Sequence, residues 1–302
     1  MKRIKIAKEG PELSNICYGV WRIADRSEDQ TPQAIRKKID LCLEHGVTTF
    51  DHADIYGDYS CETLFGNVLA ESPQLRSQME IVTKAGIKLI SEKHPEHQVK
   101  YYDTSRKHLQ NSVEKSLKNL RTDYLDLFLI HRPDPFMDVE ETSETLNNLV
   151  KSGKVKHIGV SNFSPSQFQL LDSYMDKPLV TNQIELSPVE MTPFQNGTID
   201  QCQRLKMAPM AWSPLAGGRI FTEKSDKIDR LRKKLQEIGK RHSIGIAETA
   251  IAWLLCHPAK ILPVIGSNNP ERIAKMFKAT EVSLNRQEWF EIWEASAGHE
   301  VP

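Results

Sequence analysis

Short apolar runs alternate with longer amphipathic stretches along the whole chain. Eight of the runs are near-continuous apolar or β-branched segments, which is typical of parallel strands buried on both faces. These runs are NICYGV (15–20), TTFDHA (48–53), MEIVTKA (79–85), YLDLFLIH (124–131), VKHIGVSN (155–162), LVTNQIEL (179–186), PMAWSPL (209–215) and ILPVIG (261–266). Eight strands that alternate with helices predict an α/β fold, the (β/α)₈ TIM barrel, as a single domain over residues 1–302. The alternative is an open doubly wound sheet, but the G-x-G-x-x-G of its dinucleotide-binding version does not follow the first run.

Amphipathic spacing and capping residues indicate the helices between these runs. Residues 105–121 carry their apolar side chains on one stripe, and we expect Thr104 to cap this helix. Residues 32–46 and 270–280 each begin with proline at a first-turn position, which suits the start of a helix. Residues 286–295 follow the final barrel helix and predict one extra C-terminal helix.

The remaining segments are expected at the two ends of the barrel. Residues 1–13 predict an N-terminal β-hairpin that closes the bottom of the barrel. The long connections 87–103 and 216–226 both follow strands, so we expect them on the catalytic side.

Composition and charge exclude several classes of partner. The chain has 40 basic and 40 acidic residues without a block of like charge, so neither nucleic acid nor a membrane surface is expected as a partner. The N-terminus lacks the apolar run of a signal peptide, and no window approaches the ~18 apolar residues of a membrane span. Five scattered cysteines indicate reduced thiols and hence a cytoplasmic protein. The even charge balance is compatible with a monomer.

Four side chains of different chemistry are expected at the ends of consecutive strands. Asp51 and Tyr56 follow the second strand, Lys84 ends the third, and His131 ends the fourth. Each residue alone has an ordinary structural explanation, such as a turn aspartate or a core histidine. Together on one wall of a barrel mouth they predict an active site.

Two other patterns point to different chemistry. Asp51 and Asp54 are a pair of carboxylates such as a barrel hydrolase would use, but the phenol, amine and imidazole would then have no role. His94 and His97, with Glu92 and Glu96 nearby, form an H-x-x-H spacing that a metal could use. We favour a solvated loop at this position, with no metal, because lone short motifs mislead.

Several segments closely resemble the aldo-keto reductase superfamily. They are FDHADIYG (50–57), IVTKAG (81–86), LFLIHRP (127–133) and GVSNF (159–163), within a match that spans GVW (19–21) to IGSNNPERI (265–273). The resemblance implies a (β/α)₈ barrel that binds a nicotinamide cofactor, usually NADP(H), without a Rossmann fold. It also implies reduction of aldehydes and ketones to alcohols, with Asp51, Tyr56, Lys84 and His131 as the catalytic tetrad.

The chemistry of the tetrad is consistent with that reaction. Tyr56 is the proposed general acid, and a free phenol has a pKa of ~10, which is too high for efficient exchange near neutrality. We expect the Lys84 ammonium to lower this pKa and Asp51 to hold Lys84 in place. His131 is expected to donate a hydrogen bond to the substrate carbonyl.

The resemblance also assigns the cofactor residues. Ser161, Asn162 and Gln183 match positions that bind the nicotinamide carboxamide, and Trp212 matches the aromatic ring placed against nicotinamide. The pyrophosphate loop is assigned to residues 213–219, with Ser213, Leu215, Gly217 and Arg219 as its contacts. Gly266 and Ser267 stand where many family members have Lys-Ser, and Arg272 matches the arginine that binds the 2′-phosphate. The lysine is absent, but the retained arginine still favours NADP(H).

The substrate is expected to be a small-molecule carbonyl compound. Trp21 matches a family pocket position, and Tyr101 and Phe136 lie in loops that are expected to complete a mostly apolar, aromatic pocket. Such a pocket suits small aldehydes, dicarbonyls or ring ketones. The alternative function is a slow-turnover, NADP(H)-binding regulatory subunit, similar to the channel-associated members of the family.

Overall fold

Eight parallel strands close into a barrel in the computed structural model, which describes residues 1–301. In chain order the strands are β1 (Arg3–Lys5), β2 (Glu12–Ser14), β3 (Cys17–Gly19), β4 (Thr49–Asp51), β5 (Glu80–Ala85), β6 (Ile87–Lys88), β7 (Tyr101–Tyr102), β8 (Leu127–Ile130), β9 (Ile158–Ser161), β10 (Asn182–Glu185), β11 (Met210–Trp212) and β12 (Leu262–Ile265). Around the barrel they lie in the order β3-β4-β5-β8-β9-β10-β11-β12, and β12 pairs with β3. All of these pairs are parallel, so the predicted (β/α)₈ barrel is confirmed.

Helices connect the barrel strands. In chain order they are α1 (Pro32–Glu44), α2 (Tyr56–Tyr59), α3 (Cys61–Glu71), α4 (Arg106–Leu120), α5 (Val139–Lys151), α6 (Pro165–Asp172), α7 (Thr198–Arg204), α8 (Arg219–Thr222), α9 (Asp226–Arg241), α10 (Ile246–Leu255), α11 (Pro270–Phe277) and α12 (Arg286–Ala297). Short 3₁₀ turns are found at Trp21–Ala24, Ser27–Asp29, Pro73–Gln78, Thr192–Phe194, Ala216–Gly218 and Lys278–Glu281. The extra C-terminal helix is confirmed by α12. None of the described helices combines the length and the apolar character that a membrane crossing needs.

The cap of α4 differs from the prediction by one residue. Ser105 is the N-cap, because its side chain accepts a hydrogen bond from the backbone N–H of His108. Thr104 instead donates its hydroxyl to Asp134, at 3.0 Å. The expected cap at Thr104 was therefore wrong, since a tertiary contact occupies its hydroxyl.

The interior of the barrel is apolar at its lower end. Val82, Leu129 and Met210 are completely buried in one cluster with residues of the N-terminal hairpin. Ile6 and Leu13 come from that hairpin, in which β1 pairs with β2, and they fill the bottom of the barrel. The predicted closing hairpin is confirmed.

The inward-facing side chains of the barrel strands become polar at the upper end of the barrel. Successive strand residues point to opposite faces, so Lys84 faces inward together with Val82, two residues before it. Asp51 ends the neighbouring strand β4. The polar side chains therefore stand on a packed apolar floor at the ends of the strands, as in other TIM barrels.

Both long connections lie at this upper end. The segment after β5 forms a small hairpin of its own, in which β6 pairs with β7. The segment after β11 contains the 3₁₀ turn Ala216–Gly218 and the short helix α8.

Candidate active site

Lys84 is the centre of a hydrogen-bonded cluster formed by neighbouring strand ends. Its ammonium nitrogen lies 2.9 and 2.8 Å from the two carboxylate oxygens of Asp51 and 3.2 Å from the Tyr56 hydroxyl. The ammonium also donates to the backbone carbonyl of His52 at 2.6 Å. Lys84 is completely buried, and carboxylate, carbonyl and phenol satisfy its three donor hydrogens. The structure thus brings together three of the four predicted catalytic side chains in direct contact.

The charge of Lys84 is held by its partners. Burial alone would lower the pKa of Lys84, but Asp51 and the Tyr56 oxygen outweigh that effect and raise the pKa above its ordinary value. Lys84 is therefore a fixed cation beside the phenol at neutral pH.

The pKa of Tyr56 differs from the expectation. Burial is the largest influence and raises the pKa of Tyr56 above its ordinary value, while the nearby Lys84 lowers it by less. The predicted lowering by Lys84 is present, but burial, which the sequence did not show, outweighs it and makes the net shift upward. The phenol consequently carries its proton at neutral pH, as a general acid must.

His131 completes the tetrad beside Tyr56. The two rings meet edge to face, with centroids 5.9 Å apart. Burial lowers the pKa of His131 well below its ordinary value, and Lys84 and Arg132 lower it further. The imidazole is therefore neutral, and a neutral imidazole keeps one N–H that can donate to a carbonyl oxygen.

Gln183 binds the tetrad directly. Its side-chain amide donates a hydrogen bond to an Asp51 carboxylate oxygen at 2.8 Å, and its side chain is buried. This contact was not identified from the sequence, although glutamine within the apolar run LVTNQIEL was a signal that the position is special. Its predicted contact with a nicotinamide carboxamide stays a prediction.

A chain of hydrogen bonds joins the other predicted carboxamide residues. The Trp212 indole N–H donates to the Asn162 side-chain oxygen at 2.9 Å, and the Asn162 amide donates to the Ser161 hydroxyl at 2.8 Å. That hydroxyl donates to the backbone carbonyl of Gln183. The guanidinium of Arg132, which was not identified from the sequence, lies 5.4 Å from the centre of the Trp212 ring. The Trp212 ring is therefore held in one orientation at the mouth.

The predicted pyrophosphate loop has an unusual backbone. Ser213, Gly217 and Gly218 all have positive φ, at 51°, 66° and 99°. A Cβ atom added at Gly217 or Gly218 would meet no atom of the described chain within 4 Å, so open space adjoins the backbone. This arrangement lets a ligand approach the main chain closely. Leu215 packs against the core, and Arg219 begins α8 and lies 3.3 Å from Glu223.

The predicted 2′-phosphate site lies after β12. Gly266 is exposed, and the Ser267 hydroxyl accepts from the backbone N–H of Asn269, which caps α11. Arg272 is exposed in the first turn of α11 and forms no salt bridge within residues 1–301. An arginine free of carboxylates suits a phosphate group, and the open glycine loop suits a diphosphate. The residues present therefore fit a phosphorylated dinucleotide.

The predicted substrate residues differ in how close they lie to the tetrad. Trp21 is 54% exposed, and its ring centroid is 6.4 Å from that of Tyr56. Tyr101 lies in β7 and contacts His97. Phe136 is 96% exposed, so the structure does not bring it into a pocket wall, and its role stays a prediction.

Comparisons with known proteins agree with this geometry. The family model described as "Aldo/keto reductase family" matches residues 15–297. The chain is 48% identical to a 6-dehydroglucose reductase of Agrobacterium fabrum and 47% identical to the uncharacterized oxidoreductase YcsN of Bacillus subtilis, over 100% of both chains in each case. A solved structure of the thermostable aldo-keto reductase Tm1743 with the inhibitor epalrestat has a TM-score of 0.82 and 28% identity, and the match covers 98% of this chain and 100% of that one. The chain therefore belongs to the aldo/keto reductase family of oxidoreductases.

Proposed function

We propose that this protein is an NADP(H)-dependent reductase that converts aldehydes or ketones to alcohols, with Tyr56 as the proton donor. The observation that carries the proposal is the position of the Tyr56 hydroxyl, 3.2 Å from a Lys84 ammonium that Asp51 holds. This arrangement supplies a proton and stabilises the oxygen that loses it.

The chain offers contacts for each part of the cofactor. Trp212 and Asn162 would position the nicotinamide, the Ser213–Arg219 loop would bind the diphosphate, and Arg272 would bind the 2′-phosphate. When bound, NADPH supplies the hydride that reduces the carbonyl carbon. We propose NADP(H) over NAD(H) because Arg272 is exposed and free of carboxylates within the described chain.

The residues of the tetrad have separate tasks in this proposal. Tyr56 gives the proton at its hydroxyl to the substrate oxygen, and Lys84 stabilises the phenolate that remains. The neutral His131 donates a hydrogen bond to the same oxygen, which orients the carbonyl and stabilises its developing negative charge. Asp51 holds the Lys84 ammonium in place, and Gln183 holds the Asp51 carboxylate.

We propose 6-dehydroglucose as the first substrate to test. A relative that bears the name 6-dehydroglucose reductase is 48% identical to the chain over its full length. Trp21 offers an exposed aromatic surface next to Tyr56. The Arg22 guanidinium lies 5.1 Å from the centre of the Trp21 ring. The mouth therefore combines an apolar wall with a cation, and so can take a polar carbonyl compound.

The proposal predicts substrate-dependent oxidation of NADPH. We would follow the loss of NADPH absorbance with the purified protein and 6-dehydroglucose, an aromatic aldehyde, a dicarbonyl and a ring ketone, with NADH in parallel. Oxidation with at least one carbonyl compound is expected. Tight NADPH binding without turnover would favour the slow-turnover regulatory subunit, and no NADPH binding would contradict both functions.

Arg272 is expected to determine the preference for NADPH. Arg272→Ala should raise the KM for NADPH about 10- to 100-fold, because a hydrogen bond to a charged group contributes about 1.5–3 kcal/mol. The KM for NADH should change little, since NADH lacks the 2′-phosphate. Lys275→Ala, at an exposed position of the same helix, is the matched control. An equal rise in both KM values would contradict the assignment.

The proposal also includes a monomeric state and a cytoplasmic location. The tetrad and the predicted cofactor residues all lie in one chain, which supports an active monomer. All five cysteines are free thiols, which supports a reducing compartment such as the cytoplasm.

A further inference from the structure

His94, Glu96 and His97 converge in the segment between β6 and β7. Their ligand atoms all lie within 4.8 Å of one another. The His97 side chain is only 4% exposed, while the Glu96 side chain is 64% exposed. The expected solvated loop was therefore wrong for His97, which is a buried polar residue with a defined partner.

The distances within this cluster match those between the ligands of a tetrahedral metal ion. Glu96 Oε1 lies 3.1 Å from His94 Nδ1 and 3.5 Å from His97 Nε2. Two ligands at about 2.0–2.1 Å from a tetrahedral zinc ion are about 3.3 Å apart. Two edges of a coordination tetrahedron are thus already formed.

The neighbouring contacts hold the His97 ring for metal binding. His97 Nδ1 lies 2.9 Å from the Leu89 carbonyl oxygen and donates to it, so Nε2 is the ring nitrogen that faces Glu96. Histidine ligands of metals usually donate their second ring N–H to a carbonyl or carboxylate in this way. The His97 ring is therefore oriented with Nε2 toward the other two side chains before an ion arrives.

The His94 ring is held from two sides. It stacks on His97, with centroids 4.9 Å apart and ring planes 12° from parallel, and meets Tyr59 edge to face at 4.7 Å. The Tyr59 hydroxyl also accepts a hydrogen bond from the Leu89 backbone N–H. The cluster is therefore packed against the segment that carries the catalytic Tyr56.

We propose that His94, Glu96 and His97 form a binding site for one divalent transition-metal ion of the zinc class. Two imidazoles and one carboxylate are the ligands that Zn²⁺ takes, whereas Mg²⁺ and Ca²⁺ require mostly oxygen ligands. The exposed side of Glu96 leaves the fourth position to water. The ion cross-links the β6–β7 segment beside the barrel mouth and takes no part in hydride or proton transfer.

The test is a titration of tag-free, EDTA-treated protein with Zn²⁺ by calorimetry, with the bound metal counted by mass spectrometry. One equivalent of Zn²⁺ is expected, and Mg²⁺ should not compete. His97→Asn removes Nε2 but keeps an amide N–H for the Leu89 carbonyl, and Glu96→Gln changes an exposed side chain. Each variant should weaken Zn²⁺ binding at least about 10-fold, since even outer partners of metal ligands contribute 10- to 100-fold.

His45→Asn is the matched control. His45 Nδ1 also lies 2.9 Å from a backbone carbonyl, that of Leu41, but His45 forms no ion pair with a carboxylate within residues 1–301. Its Zn²⁺ affinity should equal that of the wild type. Co²⁺ bound to the wild type should show the visible absorption of a tetrahedral site, and this absorption should be lost in Glu96→Gln.

Three results would overturn the proposal. The first is that the wild type does not bind Zn²⁺. The second is that Glu96→Gln and His97→Asn bind Zn²⁺ as tightly as the wild type. The third is that His45→Asn loses as much Zn²⁺ affinity as these two variants. The thermal unfolding midpoint of each variant is measured without metal. A midpoint equal to that of the wild type shows that a variant has lost metal binding and not its fold. Because the titration needs neither NADPH nor a carbonyl substrate, its result is independent of the proposed reductase activity.

Discussion

Tyr56→Phe is expected to reduce kcat for carbonyl reduction by about 10²- to 10⁴-fold, because general acid catalysis contributes a factor of this size. The substitution removes only the hydroxyl that lies 3.2 Å from the Lys84 ammonium. The ring stays, and with it the packing against Trp21 and His131. NADPH binding, measured by fluorescence titration, should therefore equal that of the wild type, and the loss should appear in the single-turnover rate.

The control for this variant lies three residues away. Tyr59→Phe also removes one phenol hydroxyl from the same irregular segment, but that hydroxyl only accepts a hydrogen bond from Leu89. We expect the kcat of Tyr59→Phe to be of the same order of magnitude as that of the wild type. Retention of most of the rate in Tyr56→Phe would contradict its assignment as the acid.

The barrel and the tetrad could be predicted because both depend on local patterns. Each barrel strand coincides with a short apolar run, and the order of the strands around the barrel follows their order in the chain. Parallel strands in sequence order place their C-terminal ends at one rim. The positions of Asp51, Lys84 and His131 after consecutive barrel strands were therefore sufficient to bring them together.

The contact between Gln183 and Asp51 could not be predicted in the same way. The strands β10 and β4 are four places apart in a barrel of eight, so the two side chains meet across the interior. Such a contact depends on the width of the barrel and on which neighbours fill it. Sequence spacing contains neither quantity.

Burial accounts for the other differences. The raised pKa of Tyr56 results from desolvation, and the sequence shows only that a lysine lies near in the fold. The burial of His97 results from its packing under Tyr101 and His94 in a segment that is polar by composition. The backbone directly after Tyr56 also differs from a regular helix, because Gly57, Asp58 and Tyr59 all have positive φ.

Lys84→Met is expected to lower the free energy of unfolding by about 3–5 kcal/mol, because removal of one partner leaves a buried charge uncompensated. The Asp51 side chain is almost completely buried, and Gln183 Nε2 would be its one remaining side-chain donor within the described chain. Asp51→Asn should be destabilising by a similar amount, since the Lys84 ammonium then lacks its counter-charge. Urea unfolding followed by circular dichroism measures both changes.

The double variant Asp51→Asn/Lys84→Met separates stability from chemistry. It contains neither charge, so we expect it to recover most of the lost stability, as buried ion pairs often contribute little relative to neutral groups. It should still lack carbonyl reduction, because no cation remains to stabilise the Tyr56 phenolate. Lys151→Met, which breaks an ion pair with Asp176 between two exposed side chains, is the control and should cost less than about 1 kcal/mol. If the double variant instead lost the sum of both single effects, the two side chains would contribute to stability independently of each other. An uncompensated buried charge would then not explain the loss in the single variants.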